Sequence, residues 1–352
     1  MKQRLQLTSS VKTLIGFIAA TFLLYSLFGL IKPLQADALS GSQFNPGNII
    51  SDSVFYNKGA MSPSKIQAFL NSKMPNCDTN GQQMYNSTQT RAQWAAANNR
   101  PLPPYTCLKD FSQSVPTVTN GGSDLCKNSI SGGTKSAAQI IYDVAQACGI
   151  NPQVLIVMLQ KEQSLITDTW PWPTQYDKAM GYACPDSGPN FSANCDNAFF
   201  GFFNQVYNAA QAYRRYEANP NSYNYKANRN NFILYNPNPA CGGTNVFIEN
   251  QATANLYIYT PYQPNEAALN NLYGTGNGCS AYGNRNFWRL FNDWFGPTVG
   301  EKVFITKYDT TTNTMGETAT VGFRLSKKPA SNVTIPLVID SPSNAKLSNN
   351  LA

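Results

Sequence analysis

The chain has 352 residues, enough for two or more domains, with only 13% charged residues and a net charge of +7. It contains no histidine, which excludes Ser-His and Cys-His nucleophile pairs and His-ligated zinc and leaves carboxylate, Tyr or Lys chemistry, or none. Residues 1–38 contribute +3 of the charge, so the remainder carries +4, a weak attraction for an anionic wall surface; no Lys/Arg run points to nucleic acid.

Lys2, Arg4 and Lys12 precede an uncharged, mostly apolar run at residues 13–31. That run is long for a signal-peptide core and just long enough to span a bilayer. Ala36, Asp37 and Ala38 then offer a small-x-small cleavage site. Cleaved secretion and an uncleaved N-terminal anchor, with residues 13–31 in the membrane, remain open, and both put the rest of the chain outside. The eight cysteines (Cys77, Cys107, Cys126, Cys148, Cys184, Cys195, Cys241 and Cys279) are an even set in an exported chain, which argues for disulfides. No CxxC pair supports zinc. Connectivity does not follow from the sequence; nearest-neighbour pairing is the working expectation, led by Cys184–Cys195 around one short loop.

Residues 44–130 read as a small Cys-containing module of one helix and loops. The helix, at 62–72, has Ser62 as N-cap, Pro63 at its first position, and Ile66, Phe69 and Leu70 on one face. No site is visible there, and residues 120–133, rich in Gly and Ser, read as a connector. Residues 135–148 form a second amphipathic helix through Ala138, Ile141, Val144 and Ala145, stopped by Gly149.

A third helix follows at once over 151–167, capped by Asn151 and Pro152, with Leu155, Met158, Leu159, Leu165 and Ile166 as an apolar stripe. Glu162 lies on that stripe, while Lys161 points to one side. Desolvation disfavours an ionised carboxylate there, and a protonated carboxylic acid is what glycosidic cleavage needs at the leaving oxygen. The plainer alternative is an exposed helix end with a solvated Lys161/Glu162 cap.

Trp170, Trp172, Tyr176 and Tyr182 come next, in a Pro-broken loop. Each suits core packing, and together they suit stacking on sugar rings. Residues 198–216 read as a helix opened by Gly201, Phe202, Phe203, Asn204 and Gln205, whose amides serve either a ligand or the helix cap. Residues 217–285 are rich in Asn and Tyr, with short pieces at 244–249 and 252–259. A last amphipathic helix at 286–295 ends at Gly296 and Pro297. Beyond residue 301, three stretches (303–305, 318–325 and 332–339) alternate as strands do. About fifty residues cannot bury a sandwich core alone, so this reads as the opening of a β-domain.

The order helix, Glu162, variable loop, GFFNQ at 201–205 and Ala-rich helix resembles the lysozyme-like domain of soluble lytic transglycosylases and goose-type lysozymes. This chain departs from that pattern by one extra residue between Gly201 and Gln205 and by Gln163 standing between Glu162 and Ser164. The longer run from FNPGNIISD through LQKEQSLIT, AMGYACPD and GFFNQVYNAA to YGNRNFWRLFNDWFG is similar to exported hemagglutinin-like proteins of Gram-positive-type bacteria. The tail ATVGFRLSKKPASNVTIPLVI resembles the opening strands of Calx-β domains, whose calcium-binding form would need more acids than Asp309, Glu317 and Asp340.

The resemblance implies a mainly α (α+β) lysozyme-like domain with disulfides over 134–297 and a partial β-sandwich over 301–352, to which the apolar run at 13–31 adds an N-terminal signal or transmembrane helix over 1–38. It implies a glycosidase on peptidoglycan with Glu162 as general acid and no cofactor or metal. Trp170, Trp172, Tyr182, Phe203, Asn204 and Gln205 would line the sugar groove. A second carboxylate would be Asp168, Asp177, Asp186 or Asp196; without one, the muramic 6-hydroxyl would attack internally to give a 1,6-anhydro product. The alternative is a non-catalytic adhesin binding a surface glycan through the same groove. A peptide-cleaving amidase is disfavoured by the absence of His.

Overall fold

A computed structural model of the chain describes residues 39–119, 125–185, 187–189, 192–300, 303–308 and 321–325. The chain divides into Met1–Ser40 and Gly41–Ala352, and the elements below belong to the second unit. The signal or anchor segment at 1–38, the strand expected at 332–339 and the acids Asp309, Glu317 and Asp340 lie outside the described residues.

Ten α-helices are described: α1 Asp52–Phe55, α2 Pro63–Lys73, α3 Arg91–Ala97, α4 Ala137–Cys148, α5 Pro152–Gln163, α6 Pro173–Asp177, α7 Phe202–Ala218, α8 Gln251–Tyr259, α9 Glu266–Asn270 and α10 Gly283–Phe295. Six strands make three antiparallel two-stranded sheets: β1 Ser112–Val115 with β2 Gly133–Ser136, β3 Arg229–Leu234 with β4 Gly243–Ile248, and β5 Val303–Tyr308 with β6 Val321–Leu325. The class is therefore mixed helix and sheet with small sheets only. No sandwich forms among the described residues, and no helix among them is long and apolar enough to cross a membrane.

The cap signals act as the sequence requires. Ser62 Oγ accepts from Lys65 N at 3.3 Å, and Asn151 Oδ1 accepts from Gln153 N at 2.8 Å. Gly149 stops α4 in the left-handed conformation at φ 65°. The asparagine does more than cap. Its Nδ2 donates to Val54 O at 2.8 Å, tying the start of α5 to α1.

The expected apolar stripe is buried, and over residues 154–159 it widens to the whole circumference of α5, while Gln153 and residues 160–163 are half-buried. Val154, Ile156 and Val157 are as fully covered as Leu155, Met158 and Leu159. A helix apolar all round belongs in a core, and α5 packs between α4 and α10. The helix also ends earlier than the expected residue 167, at Gln163, with Ser164 in the left-handed conformation at φ 58°.

Two expectations fail on non-local pairing. The connector expected at 120–133 gives up its last residue to β2, whose Gly133 pairs with Val115 and Ser136 with Ser112. The helix expected from 135 starts at Ala137, because Lys135 and Ser136 are in that strand. β3 was not anticipated at all. Four disulfides join Cys77–Cys107, Cys126–Cys148, Cys184–Cys195 and Cys241–Cys279, each cysteine to its nearest neighbour. Such a set persists in an oxidising compartment.

Arg285 closes the loop that follows α9. It is 4% exposed, and its guanidinium donates to the carbonyls of Ala268, Asn271 and Gly274 at 3.0–3.1 Å. The group also stacks on Tyr282 at 4.5 Å. Replacing it by Leu removes this donor from the carbonyls of Ala268 and Gly274, each costing about 1–3 kcal/mol when buried, while Asn271 O keeps its bond from Gly274 N at 3.1 Å. Arg285→Leu is expected to lose at least about 2 kcal/mol in urea unfolding of the oxidised protein. A loss below about 0.5 kcal/mol would show that the loop does not depend on it.

Candidate functional site

Glu162 stands in the last turn of α5, where the chain leaves the core. Its side chain is 24% exposed and forms an ion pair with Lys161, Oε1 to Nζ at 2.6 Å. Lys161 is more covered still, at 6%, and its Nζ also donates to Thr260 Oγ1 at 2.9 Å, at the end of α8. The carboxylate therefore does not sit uncompensated among apolar groups, and Lys161 does not point aside. Adjacent residues on a helix do not normally face each other, but at a helix end two long side chains can meet over the turn.

Gly181 roofs the carboxylate. It adopts φ +65°, and a Cβ placed there would stand 3.2 Å from Glu162 Oε2. Both the backbone conformation and the close approach call for glycine.

The roof is held from below by Gln205. This side chain is fully buried, and its amide is fully used. Oε1 accepts from Met180 N at 3.2 Å and Tyr182 N at 3.0 Å; Nε2 donates to Tyr182 O at 3.1 Å and Phe199 O at 2.9 Å. Gln205 therefore does not line a sugar groove, as the sequence led us to expect. It fixes the loop that lies on Glu162.

Two phenols complete the surroundings. Tyr213 and Tyr259 stack at 5.1 Å, and Tyr259 donates to Met180 O at 2.8 Å. Burial above all, with the nearby Glu162 charge adding to it, pushes the Tyr213 hydroxyl well above the ordinary phenol range. That hydroxyl is buried and has no hydrogen-bond partner among the described residues, an unsatisfied polar atom close to the candidate site.

The other expected sugar contacts divide. Tyr182 is half-buried beside Gly181, its ring against Phe199 at 5.1 Å, and it alone stays next to Glu162. Phe203 is 3% exposed and stacks on Tyr207, so it belongs to the packing rather than to a groove. Asn204 Nδ2 donates to Phe200 O at 3.0 Å, a helix-start contact.

Trp170 and Trp172 turn to a different partner set. Trp94 stacks on Tyr85 at 4.2 Å and on Trp172 at 6.3 Å; Trp170 packs edge-on against Tyr105 at 5.7 Å. Arg91 lies over Trp170, and Arg100 over Trp172. This cluster joins the 170–172 loop to residues 85–105, a segment in which the sequence showed no site. Its signal was Tyr85 and Trp94 amid Asn and Gln, with no local period to connect them to Trp172.

Of the four candidate second carboxylates, two are held in local hydrogen bonds and one lines a different groove. Asp168 accepts from Trp170 N and Gln175 Nε2, and Asp196 accepts from Ala198 N. Asp177 lines a separate groove of about 640 Å³ that Glu162 does not line. Asp186 lies outside the described residues. No group of His, Cys, Asp and Glu among the described residues is arranged to hold a metal ion.

The family model described as "LasA, N-terminal domain" matches residues 48–236, more than half of the chain. The chain belongs to that family. No curated protein and no solved structure matches it. The match spans the Glu162 helix, its roof and the Gln205 clamp. It gives no support to the hemagglutinin-like or Calx-β resemblances.

The contact between Gly181 and Glu162 can be measured by a double-mutant cycle. Gly181→Ala is expected to destabilise by about 1–2 kcal/mol, from the positive φ and the crowded carboxylate together. In a Glu162→Ala background the cost falls, because only the backbone component remains. Equal costs in the two backgrounds would show that Gly181 does not press on Glu162.

Proposed function

We propose that the protein is exported and acts at the cell wall, with Glu162 as the single catalytic carboxylate of a peptidoglycan-cleaving site. The observation that carries this is the placement of Glu162: the half-buried last turn of a helix whose residues 154–159 are buried all round, under a glycine that leaves it room and near the buried, unpartnered Tyr213 hydroxyl. Four disulfides and membership of the LasA N-terminal domain family fit an extracellular, wall-related role.

The substrate would be the β-1,4 bond between N-acetylmuramic acid and N-acetylglucosamine. Glu162 would protonate the leaving glycosidic oxygen. That step uses the acid form of Glu162, whose proton would be drawn from solvent through the exposed part of its side chain. With Asp168 and Asp196 tied into local turns, the reading favours internal attack over hydrolysis. The muramic 6-hydroxyl bonds to C1 as the glycosidic bond breaks, and its proton passes to the Glu162 carboxylate, giving a 1,6-anhydro sugar. Tyr182 is the aromatic best placed to lie against a sugar ring.

The ion pair supports a second reading. A carboxylate neutralised by Lys161 can be a structural remnant on a wall-binding adhesin that cleaves nothing. The two readings separate on purified peptidoglycan incubated with the oxidised full chain. Native protein is expected to release soluble muropeptides, and Glu162→Gln to do so at least about 100-fold more slowly, the usual weight of a general acid. Co-sedimentation of both proteins with the wall and release by neither would establish the adhesin.

A further inference from the structure

The groove of about 640 Å³ lies between residues 102–113 and the start of α6 and α7. Its wall is aromatic: Phe111 stacks on Tyr176 at 4.2 Å and meets Phe202 edge-on at 5.4 Å. Two polar side chains on its lining are left with unused capacity. The Asp177 carboxylate has no cation or donor among the described residues; outside its helix, the residue's main-chain oxygen accepts from Gly201 N at 3.3 Å. The neighbouring cation, Lys178, is spent over the Phe200 ring at 5.7 Å. The other acid of the groove, Asp110, is already paired with Lys109 at 2.7 Å.

Gln113 supplies the second polar group. Its Oε1 accepts from Phe203 N at 3.0 Å, which fixes the amide and leaves Nε2 without an acceptor. Gly201 stands against that nitrogen: a Cβ there would lie 3.5 Å from Nε2. Glycine at 201, at φ +99°, keeps the donor uncovered. One uncompensated negative charge, one amide donor and a stacked aromatic wall are complementary to a short peptide carrying an ammonium group. The carboxylate takes the charge, the rings take the aliphatic stem and add a cation–π attraction, and the amide takes a peptide carbonyl.

We infer that this groove binds the stem peptide of the wall polymer through the peptide's free side-chain amine, with Asp177 as its counter-charge and Gln113 Nε2 as donor to a peptide carbonyl. The choice of a wall stem as the source rests on the cell-wall reading above; the chemistry of the groove does not. The groove and the Glu162 roof are two ends of one segment, residues 173–182, so a bound stem would place its glycan near the roof.

The test is calorimetric titration of the oxidised full chain with a synthetic stem tetrapeptide that contains D-residues and a free side-chain amine. The same peptide acetylated on that amine, and an all-L lysine tetrapeptide, are the comparisons. Native protein and Glu162→Gln are expected to bind the free-amine stem alike. Acetylation, or Asp177→Asn in a protein of unchanged Tm, is expected to weaken binding at least tenfold. Asp177→Glu is expected to retain most of it. Equal binding of acetylated and free peptides, undiminished binding by Asp177→Asn, or no binding by the native protein overturns the proposal. Equal binding of the all-L peptide removes the wall as its source. Because the titration needs no cleavage, peptide binding with no muropeptide release would count against the Glu162 reading alone.

Discussion

Four hydrogen bonds from one buried amide organise the candidate site. Gln205 comes from the first turn of α7 and closes on Met180, Tyr182 and Phe199, so it spans the disulfide loop that Cys184 and Cys195 pinch off. A buried amide with both ends satisfied is rigid, because breaking any bond strands a polar atom. That rigidity puts Gly181 on the Glu162 carboxylate. The same clamp fixes the start of α7, where Gly201 and Phe202 wall the second groove. The two candidate sites are therefore mechanically one unit, although their lining residues differ.

The core supports this from the other side. Over residues 154–159 α5 is apolar on every face, so its position is set by α4 and α10 together rather than by one contact. Glu162 and Lys161 are its last charged pair before the chain turns at Ser164. Burying a charge beside its partner is tolerated where both are also hydrogen-bonded, and Lys161 meets that condition through Thr260. The pair can thus hold a carboxylate at the edge of an apolar core without any metal or second acid.

Much of the helical frame was legible in the sequence because its signals are local. Ser62, Asn151, Gly149 and Gly296 mark ends by chemistry within three or four residues. The disulfide pairing was approachable for the same reason, each partner being the nearest one. What escaped was non-local. β1 and β2 carry one buried hydrophobic residue between them, Val115, so no alternation announces them. β3 begins Arg229, Asn230, Asn231 and reads as loop, yet Asn231 is buried because its side chain bonds to its own turn. Glu162 was legible as a special carboxylate; its pairing with Lys161 was not, since the contact depends on Thr260 from a helix about a hundred residues away. Trp170 and Trp172 were legible as an aromatic loop, but only the fold shows that Tyr85 and Trp94 claim them.

The account stands on one carboxylate acting without a second. The direct measurement is the mass of the muropeptides that the oxidised native protein releases from purified peptidoglycan. Products one water lighter than the hydrolysed species, lost with Glu162→Gln, are the result that a lone Glu162 and internal attack by the 6-hydroxyl predict. Products of fully hydrolysed mass would contradict it, because they would require a second group to position the attacking water.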